Sequence, residues 1–342
     1  MKKLTIRKPT TYEVFITDKK AELEKTLSAA LLHAKKIAVM TDENVFAIYG
    51  RFFDAFAFGG RVRYLVVDGG EKCKTFASYQ KMIGFLSENG FTRADAVIAF
   101  GGGAVSDAAG FAAATYMRGM DLFVLPTTVI GMIDASVGSK SAVDFDGIKN
   151  LVGAFYPPKS VIIYTPFLKS LNDKQIKSGR GEVVKYAFLC PEKRDKILSA
   201  PLGENLVYEC LKIKKNVVEK DPYDIGERRL LNLGHTLGHA IESLSGFTLS
   251  HGECVAIGLR LALDASKELN GIDDETYLEA ARAIENSACY KKIDIDFEAI
   301  KKALKTDKKY DGENMSFVAF DKEMKPYITK ITIDRLIETI KR

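Results

Sequence analysis

Apolar residues recur along the first half of the chain as short β-rich runs separated by longer stretches of helical periodicity. Residues 37–41 (IAVMT), 64–68 (YLVVD), 96–100 (AVIAF) and 122–126 (LFVLP) are such runs, each ending in turn-forming residues. Between them, 75–89 and 104–115 place apolar side chains at the three- and four-residue spacing of a helix face. Strands alternating with helices predict an α/β domain with a Rossmann-like, mostly parallel, doubly wound sheet, because parallel neighbours need a crossover helix between them. Sheets of this kind take ligands at the carboxyl ends of their strands. Chemistry is therefore expected in the turns that follow the runs: Asp42 and Asn44, residues 69–74, residues 101–107, and Thr127 with Thr128. From residue 172 onward the pattern is mainly α-helical, with weak strand signals only near 316–320 and 327–331. The predicted division is an α/β domain over 1–168 and a mainly helical domain over 169–342, with no internal repeat.

Composition narrows the function classes. With 46% apolar and 28% charged residues, 27 glycines and 9 prolines, the chain is globular rather than disordered or low-complexity. A net charge of +5 is slight for 342 residues, and no basic tail concentrates it. Nucleic acid is therefore not an expected partner, whereas a local cationic pocket for a small anion remains open. No uncharged apolar run approaches the roughly 18–20 residues of a membrane span. The N-terminal segment has the charge of a signal peptide without its apolar core. Five dispersed cysteines with no CxxC pair indicate neither a disulfide framework nor a thiolate zinc site. The expected location is a reducing compartment, the cytoplasm.

Two features carry candidate chemistry. Gly101-Gly102-Gly103-Ala104-Val105-Ser106-Asp107 follows a strand and opens a helix, where glycines let backbone approach a phosphate and free N–H groups receive it. It is not a clean GxGxxG, because Ser106 stands at the third glycine position; nor does Gly138-Ser139-Lys140-Ser141 match a P-loop. The second feature is histidine. Of four in the chain, His235, His239 and His251 fall within seventeen residues. Arg228, Asn232, His235 and His239 are spaced 4, 3 and 4, which on one continuous helix confines them to about 60° of arc. Burying that set is costly unless a ligand or metal satisfies it, and Gly234 and Gly238 beside the histidines suggest close packing. Ser250 and Glu253 fit a capping box, so Glu253 has a structural use and His251 opens the next helix. With one carboxylate from elsewhere, these histidines would make a two-histidine, one-carboxylate metal site with an open position. Glu182 is the candidate, although Glu182 and Lys185, three apart on a helix, also describe an ordinary surface ion pair. Scattered cations beside turns (Arg118, Lys140, Lys149, Lys185, Lys214, Arg228, Lys308) would suit a substrate bearing carboxylate and phosphate.

GGGAVSDAAGFAAATYMRG, LPTTVIGMIDASVGSKS, GIKNLVGAFYPPK, GEVVKY, RRLLNLGHTLGHAIE and LSHGECVAIG occur in one order across about residues 41–309. In this set the chain resembles the 3-dehydroquinate synthase family of sugar phosphate cyclases. The resemblance implies a dehydroquinate synthase-like fold whose first domain binds NAD. Its cofactor contacts would be Asp42, Asn44, Glu71, Lys74, Gly102, Gly103, Ala104, Asp107, Thr127, Thr128, Phe167, Leu168, Lys169 and Ser170. A divalent metal, zinc or cobalt, would be held by Glu182, His235 and His251. Substrate contacts would be Arg118, Asp134, Lys140, Lys149, Asn150, Lys185, Lys214, Arg228, Asn232, His239 and Lys308. Of these, Lys140, Lys185, Arg228, Asn232 and His239 would be catalytic. Spacing alone would have made His239 a metal ligand; the resemblance assigns it to substrate. The implied reaction converts 3-deoxy-D-arabino-heptulosonate 7-phosphate to 3-dehydroquinate and phosphate through transient oxidation by NAD, β-elimination, re-reduction, ring opening and an intramolecular aldol step. A homodimer is implied too. The sequence departs from the family pattern at Ser106, at Asp144 and over 190–201. Alternatives are another sugar phosphate cyclase, making a cyclitol or aminodehydroquinate, and a metal-dependent polyol dehydrogenase.

Overall fold

The computed structural model describes residues 1–8, 10–50, 52–56, 58, 60–246, 248–305 and 310–341. The chain forms two units: Met1–Leu171 with Leu202–Lys215, and Asn172–Pro201 with Asn216–Arg342.

The first unit carries β1 (Lys2–Ile6), β2 (Tyr12–Thr17), β3 (Ile37–Asp42), β4 (Val62–Val67), β5 (Ala96–Gly101), β6 (Asp121–Pro126), β7 (Lys140–Phe145), β8 (Ile148–Phe155) and β9 (Ser160–Tyr164). Seven of them form one sheet in the order β1-β2-β9-β6-β5-β3-β4, parallel except for β1. Helices α1 (Lys20–Ala30), α2 (Glu43–Tyr49), α3 (Phe76–Glu88) and α4 (Gly103–Thr115) provide the crossovers. Every residue of β3 and β5 is buried, as expected of central strands covered on both faces, which read as unbroken apolar runs. The chain passes from β3 outward to β4 and then returns to β5 on the other side of β3. The gap between the carboxyl ends of β3 and β5 is thus the switch point at which such sheets bind ligands. Thr75 accepts from the Ser78 amide to start α3, and α4 begins at Gly102 with no side-chain cap, leaving its first amides available to a ligand.

The four strands read from sequence all form, each within two residues of the expected bounds. The sequence reading did not include β1, β2, β9 or the separate antiparallel pair β7–β8. β8 carries an apolar run over 151–155 (LVGAF), but every residue of it is exposed or half-buried, so it is not a core strand. The returning segment joins this unit through α7 (Glu204–Lys220), which follows α5 (Asp173–Leu189) and α6 (Arg194–Ser199) in the chain. Lys2 Nζ donates to Asn205 Oδ1 and lies 5.1 Å from the Tyr208 ring centre.

The second unit contains α5, α6, α8 (His235–Leu244), α9 (His251–Asn270), α10 (Asp274–Glu285), α11 (Phe297–Leu304), α12 (Ile333–Ile340) and an antiparallel pair, β10 (Met315–Phe320) with β11 (Pro326–Ile331). Its core is built from Leu237, Ile241, Ile257, Leu261, Ile300, Phe317, Leu336 and their neighbours. Ile333, Leu336, Ile337 and Ile340 recur at three- and four-residue steps and are all buried, so α12 is held by one apolar stripe. Among the described residues, no helix is long and apolar enough to cross a membrane.

Candidate active site

In the second unit, helix crossings without intervening side chains bring three functional groups together. A capping box between Asn172 and Gln175 starts α5, and the expected one between Ser250 and Glu253 starts α9. The two helices touch through backbone: a Cβ on Gly252 would lie 1.9 Å from Ser178 O, and one on Gly181 2.2 Å from Gly252 O. Glu182 and His251 adjoin these glycines and therefore meet, with His251 Nε2 3.0 Å from Glu182 Oε1. At the start of α8, Gly234 has φ of 76°, and a Cβ there would lie 2.8 Å from Val255 O of α9. Only glycine fits both the left-handed backbone and the close approach. The result places His235 Nε2 3.2 Å from the same Glu182 Oε1.

The hydrogen bonds around the rings define what this cluster can hold. His235 Nδ1 lies 3.1 Å from Leu233 O; a carbonyl only accepts, so Nδ1 carries the proton and Nε2 keeps a lone pair. Two lone-pair atoms facing each other at this range call for a cation between them. His251 Nδ1 points to Glu242 Oε2 at 3.4 Å, the carboxylate–imidazole arrangement that orients metal-binding histidines. Burial pushes the His235 pKa down. Burial also disfavours the His251 imidazolium, but its bonds to Glu182 and Glu242 outweigh that and hold its pKa at about 10. Glu182 is buried, which by itself would raise its pKa; the Lys185 ammonium and the imidazoles prevail and keep it well below the usual carboxylate range. Lys185 Nζ lies 2.5 Å from Glu182 Oε2, and both side chains are 1% exposed. The pair is therefore a buried one, and the surface ion pair that its spacing also allowed is not what forms. The ligand atoms of Glu182, His235 and His251 all lie within 4.8 Å of one another. One carboxylate and two imidazoles make a donor set that suits zinc or cobalt with a position left open.

Arg228, Asn232, His235 and His239 do not share one helix. Arg228 and Asn232 belong to a 3-10 segment, Glu227–Asn232, and α8 begins only after Gly234. The left-handed glycine, required by its contact with α9, breaks the periodicity assumed from the spacing. Arg228 is nevertheless buried, donating from Nη1 to Pro222 O at 2.6 Å. Asp221 organises its loop by accepting from the amides of Ile225, Gly226 and Arg228. Asn232 is half-buried. His239 is exposed, its ring centre 5.3 Å from that of His235 and 5.9 Å from that of His251.

In the first unit, the expected cofactor residues follow the carboxyl ends of β3, β4, β5, β6 and β9. Asp42 Oδ1 caps α2 by accepting from Asn44 and Val45. Glu71 and Lys74 lie on the 3-10 segment Gly70–Lys74, and Phe167, Leu168, Lys169 and Ser170 on Thr165–Ser170. The Phe167 ring packs among Tyr49, Phe52, Phe100 and Tyr164, so its side chain serves the core. At the glycine turn a Cβ on Gly102 would lie 3.2 Å from Thr128 Cγ2 and one on Gly103 2.9 Å from Ala135 Cβ. The glycines are required there by close packing on Thr128 and Ala135, and the uncapped first amides of α4 are what fits a dinucleotide phosphate. Buried Lys74 pairs with Asp107 at 2.7 Å and donates to Asn150 Oδ1, linking cofactor and substrate candidates. Lys214 is buried and donates to Asp134 O at 2.6 Å and to the Asp134 carboxylate. Lys140 opens β7, and Lys149 lies on β8.

Arg118 is not brought to this set. It follows α4 on left-handed backbone at the amino end of β6, where Asp121 pairs with Ala96, the end of the sheet opposite Gly102 and Thr127. Lys308 lies outside the described residues. The departures at Ser106 and Asp144 have local uses: the Ser106 hydroxyl donates to Gly102 O, and Asp144 Oδ1 accepts from the Asn150 amide at 2.7 Å, a bond an asparagine oxygen would also accept. The sequence reading missed Glu242 and Asp221. Glu242 had a legible signal, lying three and seven residues after His239 and His235 on the same face of α8.

Residues 64–178 match the family model described as 3-dehydroquinate synthase N-terminal, and residues 179–310 the one described as 3-dehydroquinate synthase C-terminal. The chain is 33% identical to a 3-dehydroquinate synthase of Clostridium tetani, over 98% of this chain and 92% of that protein. Among solved structures it resembles 2-deoxy-scyllo-inosose synthase complexed with carbaglucose-6-phosphate, NAD+ and Co2+, with a TM-score of 0.85, 22% identity and 99% of each chain covered. It also resembles a 2-epi-5-epi-valiolone synthase from Streptomyces hygroscopicus with NAD+ and Zn2+ bound, with a TM-score of 0.81, 22% identity, and 98% of this chain and 97% of that one covered.

Proposed function

The chain belongs to the 3-dehydroquinate synthase family, and from that premise we propose that it converts 3-deoxy-D-arabino-heptulosonate 7-phosphate into 3-dehydroquinate and inorganic phosphate, a lyase step of the shikimate pathway toward aromatic amino acids. The observation that carries this reading is the buried Glu182 carboxylate facing two imidazole nitrogens beside Lys185.

In this reading the first unit holds NAD through Asp42, Asn44, Glu71, Lys74, the Gly102–Ala104 turn, Asp107, Thr127, Thr128 and residues 167–170. Glu182, His235 and His251 of the second unit hold zinc or cobalt. NAD supplies a hydride acceptor that is restored within each turnover, and the metal supplies Lewis acidity toward the hydroxyl being oxidised. The chain's own groups do the rest. Leu233 O and Glu242 orient the two imidazoles so that Nε2 of each faces Glu182. Lys185 balances the Glu182 charge and keeps the carboxylate ionised. In the first unit we assign Asp134, Lys140, Lys149, Asn150 and Lys214 to substrate; in the second, Lys185, Arg228, Asn232 and His239, with Lys308 from the sequence alone. Fixed cations suit the carboxylate and phosphate of this substrate and hold them in reactive geometry. Exposed His239, beside the metal-binding rings, is placed to move a proton at a substrate oxygen.

We further propose a cytoplasmic homodimer. Exposed Phe145, Ile148, Leu151 and Phe155 on β7 and β8 supply an apolar surface, and a second copy would account for the position of Arg118. The test follows phosphate release and NADH absorbance together with the purified protein, zinc, NAD and the heptulosonate phosphate. Stoichiometric phosphate without net NADH, with 3-dehydroquinate as product, is expected. NADH accumulating without phosphate would instead identify a polyol dehydrogenase, and a different carbocycle another cyclase.

A further inference from the structure

At the amino ends of β3 and β4, Lys35, Lys36, Arg61 and Arg63 line one cleft of about 310 Å³ with Gly60 and Asn89. The two strands start in register, Ile37 opposite Val62. The cleft therefore lies at the end of the sheet opposite Asp42, Gly102 and Thr127, and none of the groups assigned to the reaction lines it.

Three of its four cations, Lys36, Arg61 and Arg63, are held in place by neutral backbone. Arg61 donates from Nε to Phe58 O at 2.9 Å and from Nη1 to Ala34 O at 2.6 Å. Lys36 Nζ donates to Asn89 O and Gly90 O, each at 2.8 Å, and Arg63 Nη1 to Gly60 O at 2.9 Å. Among the described residues none of the four forms an ion pair, and Lys35 donates to no protein group. The neighbouring acid, Asp95, accepts from the Lys36 and Thr92 amides instead. Capping of helix ends accounts for Lys36 and Arg61, but not for Lys35 and Arg63, and it leaves all four formal charges in place. Four cations gathered in a concave space without an acid form an anion trap. Two guanidinium groups and two ammonium groups, with Arg61 Nη2 and one Lys36 N–H still available, offer positive charge and N–H donors suited to a phosphate dianion.

We propose that this cleft binds the phosphate group of a small molecule, independently of the catalytic reading above. The volume admits free phosphate or a short phosphate ester and is near the lower bound of small-molecule pockets, roughly 300 Å³. The full chain would be titrated calorimetrically with inorganic phosphate in one arm and glycerol 3-phosphate in the other, as wild type and as the Lys35→Ser/Arg63→Ser double variant. Both substituted side chains are exposed, so the fold is expected to survive. The expected result is at least tenfold weaker binding in the double variant, a smaller loss for Lys35→Ser alone, and unchanged turnover without added phosphate. Whichever arm binds more tightly identifies the source of the phosphate group. Identical isotherms for wild type and double variant, or no binding heat in either arm, would overturn the proposal.

Discussion

Gly252→Ala opposes two effects of known sign. Alanine is the better helix former, by about 1 kcal/mol in a helix interior and by less at the second residue of α9, so on propensity alone the change would slightly stabilise α9. The added Cβ, however, would lie 1.9 Å from Ser178 O, 2.6 Å from its carbonyl carbon and 2.7 Å from its Cα. All three are backbone atoms of α5 and cannot swing aside as a side-chain tip would. Restoring ordinary contact needs the helices to separate by on the order of 1 Å. Overpacking of this kind costs typically 1–3 kcal/mol and sometimes more, so the collision prevails and a net loss of roughly 2 kcal/mol is expected. The same separation stretches the 3.0 Å approach of His251 Nε2 to Glu182 Oε1, and metal affinity should fall by about 10–100-fold, as when a ligand loses its support. Urea unfolding and zinc competition against a chelator measure the two effects. The control is Gly84→Ala in α3, where the new Cβ meets only Glu88 Oε1 at 3.9 Å; it should stabilise by up to about 1 kcal/mol. Wild-type unfolding and wild-type zinc affinity in Gly252→Ala would refute the idea that the glycine crossing builds the cluster.

Glu242→Gln keeps an acceptor for His251 Nδ1 but removes its charge; zinc affinity should drop about tenfold, and equilibrium dialysis showing no change would remove Glu242 from the site's support. Asp221→Asn tests the loop that carries Arg228. Burial acts to raise the Asp221 pKa, but the amides of Gly226, Arg228 and Ile225 outweigh it and the native value is lowered. A lowered native value makes the contribution present above the unfolded pKa of about 3.9 and lost as pH falls through the native one. Wild type should therefore be more stable than Asp221→Asn by about 1–2 kcal/mol at pH 7, with the gap closing below pH ~4; a gap that persists in acid would contradict this account.

The legible parts of the fold were those with a local period. Central strands β3 and β5 read as apolar runs because both faces are covered, and α3 read as a helical period over 75–89. β8 is apolar over 151–155 yet lies at the surface, so its apolar residues did not mark a place in the core sheet. In the site, residue types were legible and their meeting was not. Glu182 and His251 come together through a contact between Gly181 and Gly252, which no periodicity encodes. The histidine stripe failed at Gly234 for a related reason, because a single left-handed residue resets the helical phase. The family motifs supplied the assignment of Glu182 that spacing left open.

The sheet order also sets a timetable for the newborn chain. β1 and β2 can close as a hairpin almost at once, Lys2 beside Ile16. The other edge of β2 pairs with β9, Glu13 beside Ser160, so it must wait for most of the first unit to leave the ribosome, on the order of ten seconds at usual rates of synthesis. During that interval an apolar hairpin presents an open edge, and the unit stays incomplete until Leu202–Lys215 also arrives. Slowed translation or chaperone shortage should therefore be felt first at this N-terminal strand, far in sequence from Glu182, His235 and His251.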